Sequence, residues 1–113
     1  MPTANDTINI AEVFSAYPAG RDDNDGPFNG SKFRDSVLAP SLRAAIDGSQ
    51  KLIVSLDGVR SFGSSFLEEA FGGLVRVGFS KAEIRKHLTV ESNMVGGTRY
   101  IEAITRYIDR AGG

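Results

Sequence analysis

Two adjacent serines, Ser64 and Ser65, follow Gly63 shortly after the apolar run Leu52-Ile53-Val54, where a strand pattern gives way to a helical one. The first turn of a helix carries unpaired backbone N–H groups and the positive end of the helix dipole. A serine there has two uses. Its hydroxyl caps the helix, with Glu68 or Glu69 complementing the dipole, or it accepts a phosphate whose charge is stabilised in place. Residue types alone leave both open. Arg21 and Arg34 form a second group, because guanidinium binds planar oxyanions through paired hydrogen bonds. If their elements are neighbours, both converge on the helix start and make an anion site. The competing arrangement pairs Arg21 with Asp22, Asp23 or Asp25, and Arg34 with Asp35 or Glu69. Glu68 and Glu69 lie four and five positions beyond Ser64. At about 100° per residue, Glu68 returns to the serine's face and Glu69 points to a different surface, so the two do not form an acid–base dyad.

Other chemistry is thinner. The chain has no cysteine and a single histidine, which removes disulfides, thiolate catalysis and sites needing two imidazoles. His87 follows Arg85 and Lys86 and is expected at the surface. Asp57, at the end of the apolar strand, suits either a metal or catalytic carboxylate or a turn cap. The acidic stretch Arg21-Asp22-Asp23-Asn24-Asp25-Gly26 fails as a calcium loop, because Arg21 and Lys32 would occupy positions that need oxygen donors. A nucleophilic Ser64 lacks an oriented base, so the chain is not expected to be an enzyme, and no metal or cofactor is expected. A net charge of −1 and the absence of a basic stripe argue against nucleic acid. No apolar run approaches the roughly 20 residues that span a bilayer, and residues 1–20 lack the pattern of a signal peptide. The expectation is a cytoplasmic protein without membrane contact.

The 113 residues form a single domain. Alternation at residues 7–10 predicts an edge strand, open to pairing with another chain. Residues 11–17 read as strand or one helical turn, and 18–31 as a long loop rich in Gly, Pro and Asp. Helical spacing runs over 31–47, with a kink or restart at Pro40, and a strand follows over 51–57. Residues 65–77 are helical, with Gly72 and Gly73 marking either close packing or a weak spot. A helical turn at 81–87, a strand at 88–92 and a final helix at 98–110 complete the order. In that last helix Thr98 is the expected cap and Glu102–Arg106 an expected ion pair. Phe28, Phe33, Phe62, Phe66 and Phe71 are assigned to the core. The alternation of strands and helices predicts an α/β domain, a small mixed, mostly parallel sheet with helices packed on it.

The junction Val59-Arg60-Ser61-Phe62-Gly63-Ser64-Ser65-Phe66-Leu67-Glu68-Glu69-Ala70-Phe71 resembles that of STAS domains, named for sulfate transporters and anti-sigma factor antagonists. Those usually read apolar strand, then D-S-S-G-L, with the first serine phosphorylated by a partner kinase. Ser64 falls on that serine, Ser65 on the second and Leu67 on the leucine, while Gly63 replaces the aspartate and Phe66 the glycine. The chain is more similar still to a STAS-like family of small bacterial proteins with no settled activity. That family carries Gly-Arg, then G-x-x-F-R, then S-S-F-L-x-E-A-F-G. Here these are Gly20-Arg21, Gly30-Ser31-Lys32-Phe33-Arg34 and the run from Ser64 to Gly72. The resemblance implies a STAS-like signalling module that binds a protein partner, an ATP-binding kinase-like or anti-sigma-type protein, and is switched at Ser64. With Gly63 lacking a carboxylate, the orienting role falls to Glu68, and Glu69 serves stability or partner contacts. The alternative is an anion- or nucleotide-binding domain built from Gly63, Ser64, Ser65, Arg21 and Arg34, with the loop from Gly20 to Gly30 closing over the ligand.

Overall fold

The apolar alternation of the strands sorts them into a sheet with one covered face. The computed structural model describes residues 5–112. Within them β1 (Asn5–Asn9), β2 (Lys51–Ser55) and β3 (Leu88–Glu91) lie in the order β1-β2-β3, all parallel. Ile8, Val54 and Val90 share one rung and Thr7, Ile53 and Thr89 the next. Ile8, Leu52 and Val54 are buried against the helices, whereas Thr7 and Thr89 are exposed on the open face. Parallel strands need crossover connections, and helices supply them. They are α1 (Ile10–Val13), α2 (Gly30–Phe33, Arg34–Leu38 and Ala39–Asp47, one unbroken helix), α3 (Ser64–Leu67, Glu68–Gly72 and Gly73–Arg76, likewise unbroken), α4 (Lys81–His87) and α5 (Gly97–Arg110). The core they enclose is built on Phe33, Leu38, Leu42, Phe66, Phe71 and Ile104, all at most 1% exposed.

Several boundaries differ from expectation for local reasons. The first strand ends at Asn9, whose side chain accepts the Glu12 N–H at 3.1 Å and starts α1. Ile10 is therefore a wholly buried helical residue rather than part of an edge strand. α5 begins after Gly96, held in the left-handed region at φ 82°, and Thr98 lies inside the helix without capping it. The Glu102–Arg106 pair is not among the ion pairs of the described residues. Phe28 is 46% exposed and so is not a core residue. His87 is buried, not at the surface, because its Nδ1 hydrogen-bonds the Gln50 carbonyl oxygen at 2.7 Å and joins α4 to the start of β2.

Both long helices widen in the middle. The Ala39 N–H reaches the Arg34 carbonyl and the Gly73 N–H reaches the Glu68 carbonyl, five residues back instead of four. In α2 the wide turn comes directly before Pro40, which then sits in the first turn of the regular segment, so the helix passes the proline instead of breaking. In α3 the wide turn carries Gly72 into contact with α5 and Gly73 with α2. A Cβ on Gly72 would lie 3.2 Å from the Tyr107 carbonyl oxygen, and one on Gly73 would lie 2.5 Å from Arg34 Nη1. Opposite, a Cβ on Gly30 would lie 2.7 Å from the Phe66 carbonyl oxygen. The paired glycines are thus close-packing positions.

Candidate functional site

The start of α3 stands at the carboxyl end of the parallel sheet, where open α/β sheets bind their ligands. Gly63 is its N-cap, with extended backbone and no side-chain cap bond, and the Leu67 N–H closes the first turn onto the Gly63 carbonyl at 3.3 Å. Ser64 is the first helical residue and is exposed; Ser65 is half-buried. The cap is therefore a glycine, and the Ser64 hydroxyl is not used to start the helix.

A loop over residues 14–29 runs past this junction. The Arg60 N–H donates to the Ala16 carbonyl at 2.8 Å and the Gly63 N–H to the Pro18 carbonyl at 3.4 Å. The Ala19 N–H donates to the Phe28 carbonyl at 2.9 Å, closing the loop on itself. Phe14 anchors the loop from beneath, with ring centroids 5.2 Å from Phe33, 5.6 Å from Phe28 and 6.2 Å from Phe66. Tyr17 is left 65% exposed beside the helix start, with Phe28 as the second open aromatic of the loop. The loop acids are exposed and accept hydrogen bonds from the loop's own donors. Asp25 Oδ2 accepts the Arg21 N–H at 2.8 Å, Asp22 the Asn24 N–H at 3.0 Å, and Asp23 the Asn29 amide at 3.0 Å.

Arg21 and Arg34 do meet α3, but one turn beyond its start. Arg21 Nη1 lies 2.5 Å from Glu68 Oε1 and 3.4 Å from Glu69 Oε1. Arg34 Nη1 lies 2.7 Å from Glu69 Oε2 and donates to the Glu69 carbonyl at 3.1 Å, while its Nε holds Asp35 at 2.9 Å. Arg76 clasps Glu68 from the far side, at 2.8 and 3.0 Å. Hydrogen bonds from Arg76 and then Arg21 hold the Glu68 carboxyl below its ordinary range, against the opposing effect of burial. Three guanidiniums and three carboxylates thus form one neutral network. The guanidiniums of Arg21 and Arg34 face these carboxylates rather than the amides of Ser64 and Ser65. Glu68 turns to Arg76 and Arg21 instead of reaching back to Ser64. Glu69 shares its surface, because long side chains and the wide turn let both acids reach the same arginines. Arg34 follows the pairing expected of it with Asp35 and Glu69, whereas Arg21 gives its backbone to a loop aspartate and its side chain to α3.

Sequence reasoning missed Arg76. Two turns of an ordinary α-helix take about seven residues, and the wide turn adds one, so position 76 returns to the face of Glu68. The only sequence signal is the Gly72-Gly73 pair that marks the turn. Asp57 settles as a turn cap: it accepts the Asn93 N–H at 2.8 Å, the Asn93 amide at 3.2 Å and the Ser92 hydroxyl at 3.3 Å. Its carbonyl accepts the Asn9 amide at 2.9 Å, so Asp57 ties the ends of all three strands together. Among the described residues no three His, Cys, Asp or Glu gather as metal ligands, and no helix is long and apolar enough to cross a membrane.

Comparison with curated proteins and with solved structures returned no match. A family model matches more than half of the chain, opening at Asn29 just before α2 and closing at Met94 after β3. It takes in Arg34 and the whole of α3, and leaves Arg21 and α5 outside. The chain belongs to the family described as STAS-like domain of unknown function (DUF4325), matched over residues 29–94.

Proposed function

We propose that this domain is a cytoplasmic protein-interaction module, without enzymatic activity of its own, switched by phosphorylation of Ser64. The observation that carries the reading is the exposed Ser64 at the first position of α3, with the capping position already filled by Gly63. A hydroxyl free of any role in the fold is available to a kinase. The partner is an ATP-binding kinase-like or anti-sigma-type protein, the class that STAS resemblance implies. The γ-phosphoryl of ATP passes to Ser64 Oγ, releasing ADP and the hydroxyl proton. The product adds about −1.5 to −2 charge beside the unpaired amides of the helix start, where the helix dipole favours it. Glu68, four residues on, opposes that charge little because Arg76 and Arg21 already neutralise it. Tyr17 and Phe28 give the unmodified face its apolar contacts, and a dianion among them costs desolvation on docking. An anion- or nucleotide-binding role ranks second, since Arg21 and Arg34 are held by carboxylates and would have to exchange them for a ligand.

The test is partner binding by three proteins: wild type, Ser64→Ala and Ser64→Glu. Expected is wild-type affinity in Ser64→Ala and at least about tenfold weaker binding in Ser64→Glu, a difference of about 1.4 kcal/mol. Equal affinity of all three for the captured partner contradicts the switch.

A further inference from the structure

The three arginines of the α3 network are held unequally. Arg34, its side chain only 10% exposed, donates to the Glu69 carboxylate, the Glu69 carbonyl and Asp35, and it lies against Gly73. It has no room to leave. Arg76 uses Nη1 and Nη2 on the two oxygens of Glu68. Arg21, 48% exposed, spends only Nη1, on Glu68 Oε1 and more loosely on Glu69 Oε1. Its Nε and Nη2, one whole edge of the guanidinium, have no hydrogen-bond partner among the described residues.

The loop carries Arg21 along the first turn of α3. A Cβ on Gly63 would lie 3.6 Å from Ala19 Cα and 3.8 Å from the Gly20 nitrogen, so the chain comes in beside the helix start. Arg21 is then fixed at both ends of its backbone. Its N–H donates to Asp25 Oδ2 at 2.8 Å and its carbonyl accepts the Ser31 N–H at 2.9 Å. Only the side chain is left to move. On α3 the Glu68 N–H bonds the Ser64 carbonyl, so this first turn is regular. Ser64 and Glu68 therefore share a face, with Cβ atoms about 5–6 Å apart. A guanidinium resting on Glu68 stands within a side chain's swing of Ser64.

We propose that Arg21 is the receptor for a phosphate on Ser64, exchanging Glu68 for it and closing its free Nε–Nη2 edge on two phosphate oxygens. The inference rests on Ser64 being the modified residue and adds how the chain responds. Guanidinium and phosphate match as a two-bond fork, and a dianion competes well against a carboxylate that Arg21 already shares with Arg76. Glu68 is not stranded by the exchange. Both of its oxygens keep Arg76, whose hydrogen bonds do most to hold this carboxyl low, ahead of those from Arg21. The loop also stays strapped through the backbone bonds of Ala16, Pro18, Gly20 and Arg21. What moves is one half-exposed side chain. Modification thus shifts the loop's ionic tie by one turn of α3, from Glu68 to position 64.

The test installs phosphoserine at position 64 during translation and follows its phosphorus NMR signal through pH in the otherwise wild-type chain, Arg21→Gln and Arg76→Gln. A guanidinium on the phosphate favours the dianion. The midpoint, ordinarily about 6, is expected at least about half a pH unit lower with Arg21 than in Arg21→Gln, about threefold in proton affinity. Arg76→Gln removes the same charge from the same network without removing the contact, and is expected to move the midpoint less than half as far. Urea unfolding supplies a second reading: Arg21→Gln is expected to cost more stability with the phosphate than without it, a coupling that a purely structural tie to Glu68 does not produce. An unchanged midpoint in Arg21→Gln overturns the proposal. So do equal shifts in the two variants, since the phosphate then senses only summed charge. Because the phosphate is built in, the result does not depend on a kinase. An Arg21 effect in a chain whose Ser64 is never modified in cells would overturn the switch and leave the exchange standing; modified Ser64 with no Arg21 effect would do the reverse.

Discussion

The first turn of α3 and the turn that follows it are built on opposite terms. From Glu68 to Gly73 every charged group is paired and both glycines abut a neighbouring helix, so little can change without loss. At Gly63 to Ser65 the helix starts on a glycine and leaves an exposed hydroxyl outside the fold's hydrogen bonding. Adjacent segments of one helix thus divide the work. The middle locks α2, α3 and the loop to one another, and the start is left free to carry a signal. The lock matters to the signal, because Arg21 and Arg34 hold the loop and α2 in place around the serine.

The largest effect should come from the crowded half. Gly30→Ala forces a methyl group against the Phe66 carbonyl, backbone that has no room to yield, and overpacking of this kind costs about 1–3 kcal/mol. Urea unfolding that finds the variant as stable as wild type would show that the start of α2 is not tightly docked on α3. Glu68→Gln should have a smaller effect with a distinctive pH signature. Because the folded carboxyl titrates below its ordinary value, its stabilisation is present above the unfolded value of about 4.3 and is lost as pH falls through the folded one. At neutral pH the variant should be less stable by about 1 kcal/mol, the scale of a partly screened ion pair. The gap to wild type should close in acid, and a gap independent of pH would remove the charge network from the account. The smallest effect belongs to the free half. Ser64→Ala should change stability by less than about 0.5 kcal/mol, whereas loss of a true cap costs about 1 kcal/mol.

These features differ in how plainly the sequence announces them. Leu52-Ile53-Val54 and the apolar stripe of α3 declare strand and helix through local periodicity, and from their order the parallel sheet follows. That something special happens at the glycine pair and at Pro40 was legible, because backbone chemistry at those positions allows few outcomes, but the wide turn that carries the helix past Pro40 unbroken was not. The ion network was not, because which arginine meets which glutamate depends on how α2 packs on α3 and on one extra residue in a turn. Periodicity carries no trace of either. Burial of His87 was hidden for a similar reason: its charged neighbours suggest solvent, but its partner is the Gln50 carbonyl, distant in sequence. The Gly96 cap was masked by Thr98, a residue with better intrinsic capping preference two positions too late.

The claim that the start of α3 carries a signal is tested most directly by locating phosphate on the protein isolated from its own cells. Trypsin releases residues 61–76 as one peptide, holding Ser61, Ser64 and Ser65. Fragmentation mass spectrometry is expected to place a single phosphate on Ser64 in a fraction of the molecules, and on no residue of that peptide in Ser64→Ala. A peptide that is unmodified under every growth condition, or phosphate placed at Ser61 or Ser65 with Ser64 untouched, would contradict it.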